Sequence, residues 1–326
     1  MSVQALTPAV PTQMIPVDLQ RSNEFRFARV HINKYITAEL TNSAEIMAKV
    51  DEGVQLLEDW CGQTYYASKE ARLDQIRGLD LHDIVLKVFV ATAFIRETEL
   101  FTAVTAQLAG ILHFDDKIDA IKTVAEITAV LCRTNVFDII KPSKYASLMI
   151  VSRIQLTPQL LQYIEESKFL PPMVCTPEPI KHNRQSGYLT YDDNVILKAY
   201  NRHDGDLCLD VINLQNSVPM QLNVEFLRTV EEVPGKDLEA LDPNLSEFEA
   251  RQVVKERIKQ WDQFVRDSRQ MYALMAGQGN LFYFTHKVDK RGRMYAQGYQ
   301  INPQGSSYKK AMLELADEEV VNGVPV

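Results

Sequence analysis

Over the first half of the chain apolar residues recur at helical spacing. From about Glu24 to Cys61 the positions Phe27, Val30, Ile32, Tyr35, Ile36, Leu40, Ile46, Val50, Val54, Leu57 and Trp60 follow three- and four-residue intervals, which predicts amphipathic helix. The pattern breaks at Thr41-Asn42-Ser43, where Ser43 is placed to cap the next helix. Leu81 to Leu112 is apolar nearly all round between Ile84 and Phe94, the signature of a buried central helix. From Ile118 to Cys132 one stripe runs through Ile121, Val124, Ile127 and Leu131. A long amphipathic helix is predicted from Ser246 to Ala276: Ser246 and Glu249 make a capping box, and Gly277 and Gly279 stop it.

Other stretches lack this period. Residues 1–20 hold Pro8, Pro11 and Pro16 and read as an extended arm. Phe169 to Pro179 carries Pro171, Pro172, Pro177 and Pro179, so its backbone is extended and stiff. Val211 to Val218 reads as a short helix with two amides, Gln215 and Asn216, that need partners if buried. Near the end, the apolar run Leu281-Phe282-Tyr283-Phe284 predicts a strand feeding a tight turn, Asp289-Lys290-Arg291-Gly292-Arg293. Three cations around one glycine suit the holding of phosphates. The fold class expected is mainly α. It comprises an arm over 1–20, a helical domain over 21–167, a mixed region over 168–244, a long helix over 245–278 and a first β segment over 279–326.

Charge sharpens this picture. The chain of 326 residues is 46% hydrophobic and 24% charged, enough to bury a large core, and its net charge of −8 argues against uniform nucleic-acid binding. From Arg251 to Lys310, however, 12 Lys and Arg stand against 4 Asp and Glu. A basic segment in an acidic chain is the footprint of a surface facing phosphates. On the long helix the cations Arg251, Lys255, Arg257, Lys259, Arg266 and Arg269 recur; Arg266 and Arg269 are candidate nucleic-acid contacts.

Metal and nucleotide signatures are missing. Cys61, Cys132, Cys175 and Cys208 form no CxxC pair, which predicts reduced thiols and no zinc ribbon. His31, His82 and His113 are isolated, and Asp115, Asp116 and Asp119 read as a loop with Asp116 capping the following helix. Neither GxxxxGK[ST] nor GxGxxG occurs. No leader and no run of about 18 apolar residues is present, so neither secretion nor membrane insertion is expected.

The C-terminal motifs resemble one family. Asp289-Lys290-Arg291-Gly292-Arg293-Met294-Tyr295-Ala296, then Asn302-Pro303-Gln304-Gly305, then Lys310-Ala311-Met312-Leu313-Glu314-Leu315-Ala316, are similar in order and spacing to the DxxGR motif, NPQG turn and following strip of the single-subunit DNA-dependent RNA polymerases of phages and mitochondria. Upstream, Pro171-Pro172-Met173-Val174, Ile212-Asn213-Leu214-Gln215-Asn216 and the Ser246–Ala276 helix fall where that family has a proline-rich stretch, an INxxQN helix and a thumb helix. The likeness covers about residues 168 to 318.

The resemblance implies roles. Arg293 would contact backbone phosphate with Arg291 and Lys290 as auxiliary cations, Gly292 would permit close approach, and Asp289 would orient the turn. Tyr295 would pack against the RNA:DNA hybrid and Lys310 would lie near nascent RNA. The family's palm aspartates, which hold two Mg²⁺ ions, and its nucleotide-binding fingers residues lie beyond the matched strip. This chain is therefore expected to carry no catalytic residue and to bind no cofactor. It is similar to the smaller subunit of the split two-subunit polymerases of schitovirus-type phages, and Asn322-Gly323-Val324-Pro325-Val326 reads as a loose terminus. A palm-and-fingers subunit holding Mg²⁺, a DNA template and an RNA:DNA hybrid are the implied partners, in the cytoplasm of a bacterial host. Thr157 to Lys168 is too short for a promoter-opening β-hairpin, which implies help from a single-stranded-DNA-binding protein. The competing class is a non-enzymatic helical nucleic-acid-binding or virion protein with a basic C-terminal segment.

Overall fold

The computed structural model describes residues 16–142, 147–167, 169–198, 201–203, 205, 207–233 and 245–317. The fold is mainly α with small antiparallel sheets. The chain divides into two compact units, one of residues 26–168 with 198–201, the other of residues 1–25, 169–197 and 202–326.

The first helix, α1 (Pro16–Phe27), starts inside the stretch expected to be an extended arm; residues 1–15 lie outside the described residues. Proline fixes φ near the helical value and has no N–H to leave unpaired at a first turn, so Pro16 opens this helix. Ala28, at φ −77° and ψ 124°, separates it from the next.

In the unit of residues 26–168 the helices are α2 (Arg29–Thr41), α3 (Ala44–Cys61), α4 (Ala67–Ile76) and α5 (Leu81–Ala93). After strand β1 (Glu99–Leu100) come α6 (Phe101–Leu108), a 3-10 turn (Ala109–Leu112) and α7 (Lys117–Leu131). Strands β2 (Phe137–Ile140) and β3 (Met149–Ser152) and helix α8 (Pro158–Glu166) complete it. Ser43 accepts from Ile46 N at the start of α3, and Asp116 from Asp119 N at the start of α7. The stripes through Ile32, Ile36 and Leu40, Val50 and Leu57, Val85, Val88 and Phe89, and Val124, Ile127 and Leu131 meet in one dry core. Lys69 and Arg72 of α4 both bind Glu126 of α7, at 2.6 and 2.7 Å.

Two sequence expectations fail here. The Leu81–Leu112 run is not one helix: α5 ends at Ala93 and the chain becomes extended in β1. The domain also contains a sheet of order β1-β3-β2, in which Phe137 pairs with Ser152 and Ile140 with Met149. β2 and β3 thus form an antiparallel hairpin, which lies upstream of the Thr157–Lys168 stretch, where the chain forms helix α8. Its strands carry branched residues such as Ile139, Ile150 and Val151, which favour a pleated, half-buried surface.

The second unit is built around extended backbone. Its elements are α9 (Leu209–Asn216), β4 (Met220–Leu222), α10 (Val224–Thr229), α11 (Glu247–Gly277), β5 (His286–Val288), β6 (Met294–Ala296), α12 (Ser307–Ala311) and β7 (Leu313–Leu315). The full capping box of Ser246 and Glu249 opens α11. β4 pairs with β7, and β5 with β6. The apolar run predicted as one strand makes two single bridges to different neighbours, Phe282 to Met220 and Tyr283 to Met173. Phe282 and Phe284 point to one side and meet edge-on at 5.7 Å. With Met271, Met275, Ala296, Ile301 and Met312 they form a core, so Phe282, Phe284 and Met312 are interior residues, while Leu281 and Leu315 stay exposed.

Glu24 of α1 is fully buried and accepts from Leu189 N, Thr190 N, Thr190 Oγ1 and Gln20 Nε2 at 2.5–3.0 Å. Gln20 in turn accepts from Val174 N. Two buried side chains of α1 thus fix two irregular segments whose backbone donors would otherwise be orphaned. Glu24→Gln turns an amide NH₂ towards these N–H groups and is expected to lower unfolding free energy by about 3 kcal/mol in urea titrations.

Candidate nucleic-acid interface

The turn between β5 and β6 is organised by one carboxylate. Asp289 accepts from Arg291 N at 2.9 Å, Arg293 N at 3.0 Å and Arg293 Nε at 2.8 Å, and Tyr295 Oη donates to it at 3.3 Å. Arg293 Nη2 stands 2.7 Å away and completes a fork-on-carboxylate pair. Gly292 N donates to Asp289 O and Asp289 N to Arg293 O, closing the turn. Gly292 has φ +79°, a left-handed conformation that a side chain would strain. Desolvation acts to raise the Asp289 pKa, but the hydrogen bonds from Arg293 and Arg291 outweigh it and hold the carboxyl at about 2.

The cations around this anion point outwards. Lys290 is exposed, and the Arg291 and Arg293 side chains are 73% and 56% accessible, so all three can meet a ligand. Arg293 commits Nε and one edge of Nη2 to Asp289, leaving the far edge of its guanidinium for another acceptor. Tyr295 lies under it, with the guanidinium carbon 5.7 Å from the ring centre. A pre-aimed arginine fork beside the exposed Lys290 and Arg291, the latter in a long 3.8 Å ion pair with Asp289, is suited to phosphate oxygens.

The NPQG segment braces the hairpin from its outer edge. Ala296 N donates to Gln304 Oε1 at 2.8 Å, and Gln304 Nε2 donates to Met294 O at 3.0 Å. One carboxamide therefore does for β6 what the peptide group of a neighbouring strand would do. Asn302 Nδ2 donates to Ala296 O and Gly298 O, and Asn302 Oδ1 accepts from Gln304 N. Pro303 supplies the fixed φ of the turn, and Gly305 N closes it on Asn302 O. Gly298, at φ +136°, lets Ile301 O approach where a Cβ would lie only 2.4 Å from it.

β5 is held from behind. His286 Nδ1 lies 2.9 Å from Asn216 Oδ1, so its ring donates to the amide, and burial pushes its pKa down to about 4. Asn213 accepts from Ile180 N and donates to Ile180 O. The two asparagines of the α9 motif are thus backbone and hairpin braces, whereas Gln215 is exposed.

Other sequence candidates fall elsewhere in this unit. Arg266 and Arg269 of α11 line a cavity of about 490 Å³ with Trp261, Tyr272 and Tyr308, and Arg269 pairs with Glu231 at 3.2 Å. That exposed pair is weak and leaves the guanidinium available. Lys310 is exposed on α12. Its neighbour Lys309, which the sequence pattern does not single out, has its Nζ 4.7 Å from the Tyr299 ring and 5.2 Å from Phe264. Tyr299 stacks on Phe169 at 4.1 Å. The only sequence hint was two adjacent lysines.

Among the described residues no three His, Cys, Asp or Glu side chains gather as a metal site, and Asp289 is saturated by its donors. Asp116 is engaged as a helix cap. No helix among the described residues is long and apolar enough to cross a membrane. The chain matches no protein-family model and no curated protein.

Two outcomes test this geometry. Gln304→Ala removes both carboxamide bonds to β6, and the Ala296 amide should exchange with solvent about tenfold faster by NMR. For His286, the folded pKa near 4 lies below the unfolded 6.5, so between these values the unfolded chain binds the extra proton. Stability should therefore fall as pH drops from 6.5 towards 4, with a slope of at most about 1.4 kcal/mol per pH unit, and His286→Gln should flatten that segment of the profile.

Proposed function

We propose that this chain is the smaller subunit of a two-subunit, phage-type DNA-dependent RNA polymerase. It contributes the N-terminal region, a thumb-like helix (α11) and the DxxGR hairpin, and works in the cytoplasm of a bacterial host. The observation that supports this reading best is the coupling of the two motifs: the DxxGR turn exposes Lys290, Arg291 and Arg293, and the NPQG turn locks the strand that follows. Such a rigid, cationic hairpin positions backbone phosphate without reading sequence. Arg293, Arg291 and Lys290 hold the template strand and RNA:DNA hybrid, Tyr295 packs against the hybrid, Lys310 lies near nascent RNA, and Arg266 and Arg269 extend the cationic surface.

Catalysis belongs to a partner chain with palm and fingers, whose aspartates hold Mg²⁺. Among the described residues no metal set gathers, and in this scheme the chain takes no proton or phosphoryl group. Duplex opening is assigned to a single-stranded-DNA-binding protein. The β2–β3 hairpin makes unaided opening the other outcome: initiation on linear duplex without that protein would remove it from the scheme.

The test is reconstitution with the palm-and-fingers chain on a primed RNA:DNA scaffold. Arg293→Ala should lower elongation by about tenfold or more while co-purification of the two chains is unchanged. Unchanged elongation removes the role of Arg293. Nucleic-acid binding with no palm partner and no elongation favours a non-enzymatic binding or virion protein instead.

A further inference from the structure

A groove of about 860 Å³ crosses the unit of residues 26–168. Its floor is α5, where Leu86 and Ala91 are half-buried over the buried Val90; one wall is α2, and the other is α6 with the 3-10 turn, where Ile111 is half-buried beside the buried Val104 and Leu108. The rim is cationic: Arg29, Lys34, Lys87 and Lys117 line it against Asp83 and Glu99. Asp83 is engaged by Lys87 at 2.6 Å, and Glu99 Oε1 accepts from Gln107. Arg29 is attracted by Glu99, makes a long contact, 3.5 Å, to Gln107 Oε1 and stacks on Phe94 at 4.5 Å. Lys117 occupies the first position of α7, where the helix dipole favours an anion and repels a cation. The placement of Lys117 is not explained by the fold's own stability.

We propose that this groove docks an acidic amphipathic helix of a partner protein. The floor from Asp83 to Ala91 spans about 12 Å at 1.5 Å per residue, the length over which a docked helix presents side chains i, i+4 and i+7. The aliphatic floor takes those side chains, and the lysines and Arg29 meet acidic residues on their flanks. Single-stranded nucleic acid fits less well. Its bases need aromatic platforms, and no described residue lining the groove is aromatic. The proposal is independent of the polymerase reading, because it uses none of the residues of the DxxGR hairpin.

The test uses the full chain and a fluorescent synthetic helix of about 18 residues built from Leu, Ala and Glu, with Leu on one face. The probes for comparison are the same composition scrambled and a single-stranded oligothymidylate. The patterned peptide should bind with a Kd on the order of 10 µM, and Lys34→Glu with Lys117→Glu should weaken it about tenfold. Ile111→Gln should weaken it without altering its salt dependence. Equal binding of the scrambled peptide, binding unchanged by the charge reversals, or binding of the oligonucleotide in place of the peptide would overturn the proposal.

Discussion

One carboxylate in the midst of three cations decides the shape of the C-terminal unit's exposed hairpin. Lys290, Arg291 and Arg293 lie within four residues and repel one another; the charge of Asp289 offsets that repulsion. By taking two backbone N–H groups as well as the Arg293 fork, it fixes charge and chain direction together. The consequence is an arginine already oriented before any ligand arrives, which would lose less side-chain entropy on meeting an anion. Gly292 is what lets the backbone turn tightly enough for one side chain to reach all these donors.

What the sequence made legible was local. Helix caps at Ser43, Asp116 and Ser246 depend on residues three apart, and the stripes of α3, α7 and α11 on a period of 3.6, so both can be read directly. Pairings between distant segments could not be. The sheet of β1, β2 and β3 joins residues 99 and 150, and its short strands carry little signal inside a helical domain. Glu24 binds residues 165 positions away, and nothing near it in sequence marks it as buried. For the site, the motif letters located the basic turn, yet the reason for Asn302 and Gln304 emerged only from the bonds their side chains make to β6. Lys309 and Tyr299 meet through the fold and left no pattern to find.

The distribution of charge has a physical logic of its own. A chain of net charge −8 is repelled by nucleic acid at long range, so any attraction has to be local and felt within about a Debye length. Concentrating cations at one hairpin and one helix meets that requirement. It also makes approach orientation-dependent: the acidic remainder turns away whatever the basic surface draws in.

The carboxamide of Gln304 acts as a spacer gauge. It reaches from β6 to a point ten residues beyond Met294, and both of its bonds depend on that separation. A single insertion or deletion between Ala296 and Asn302 would shift the amide off the strand by one residue and turn its donor towards another donor. The connecting loop is therefore fixed in length as well as at Gly298 and Ile301, and the two short motifs behave as one unit measured out along the chain.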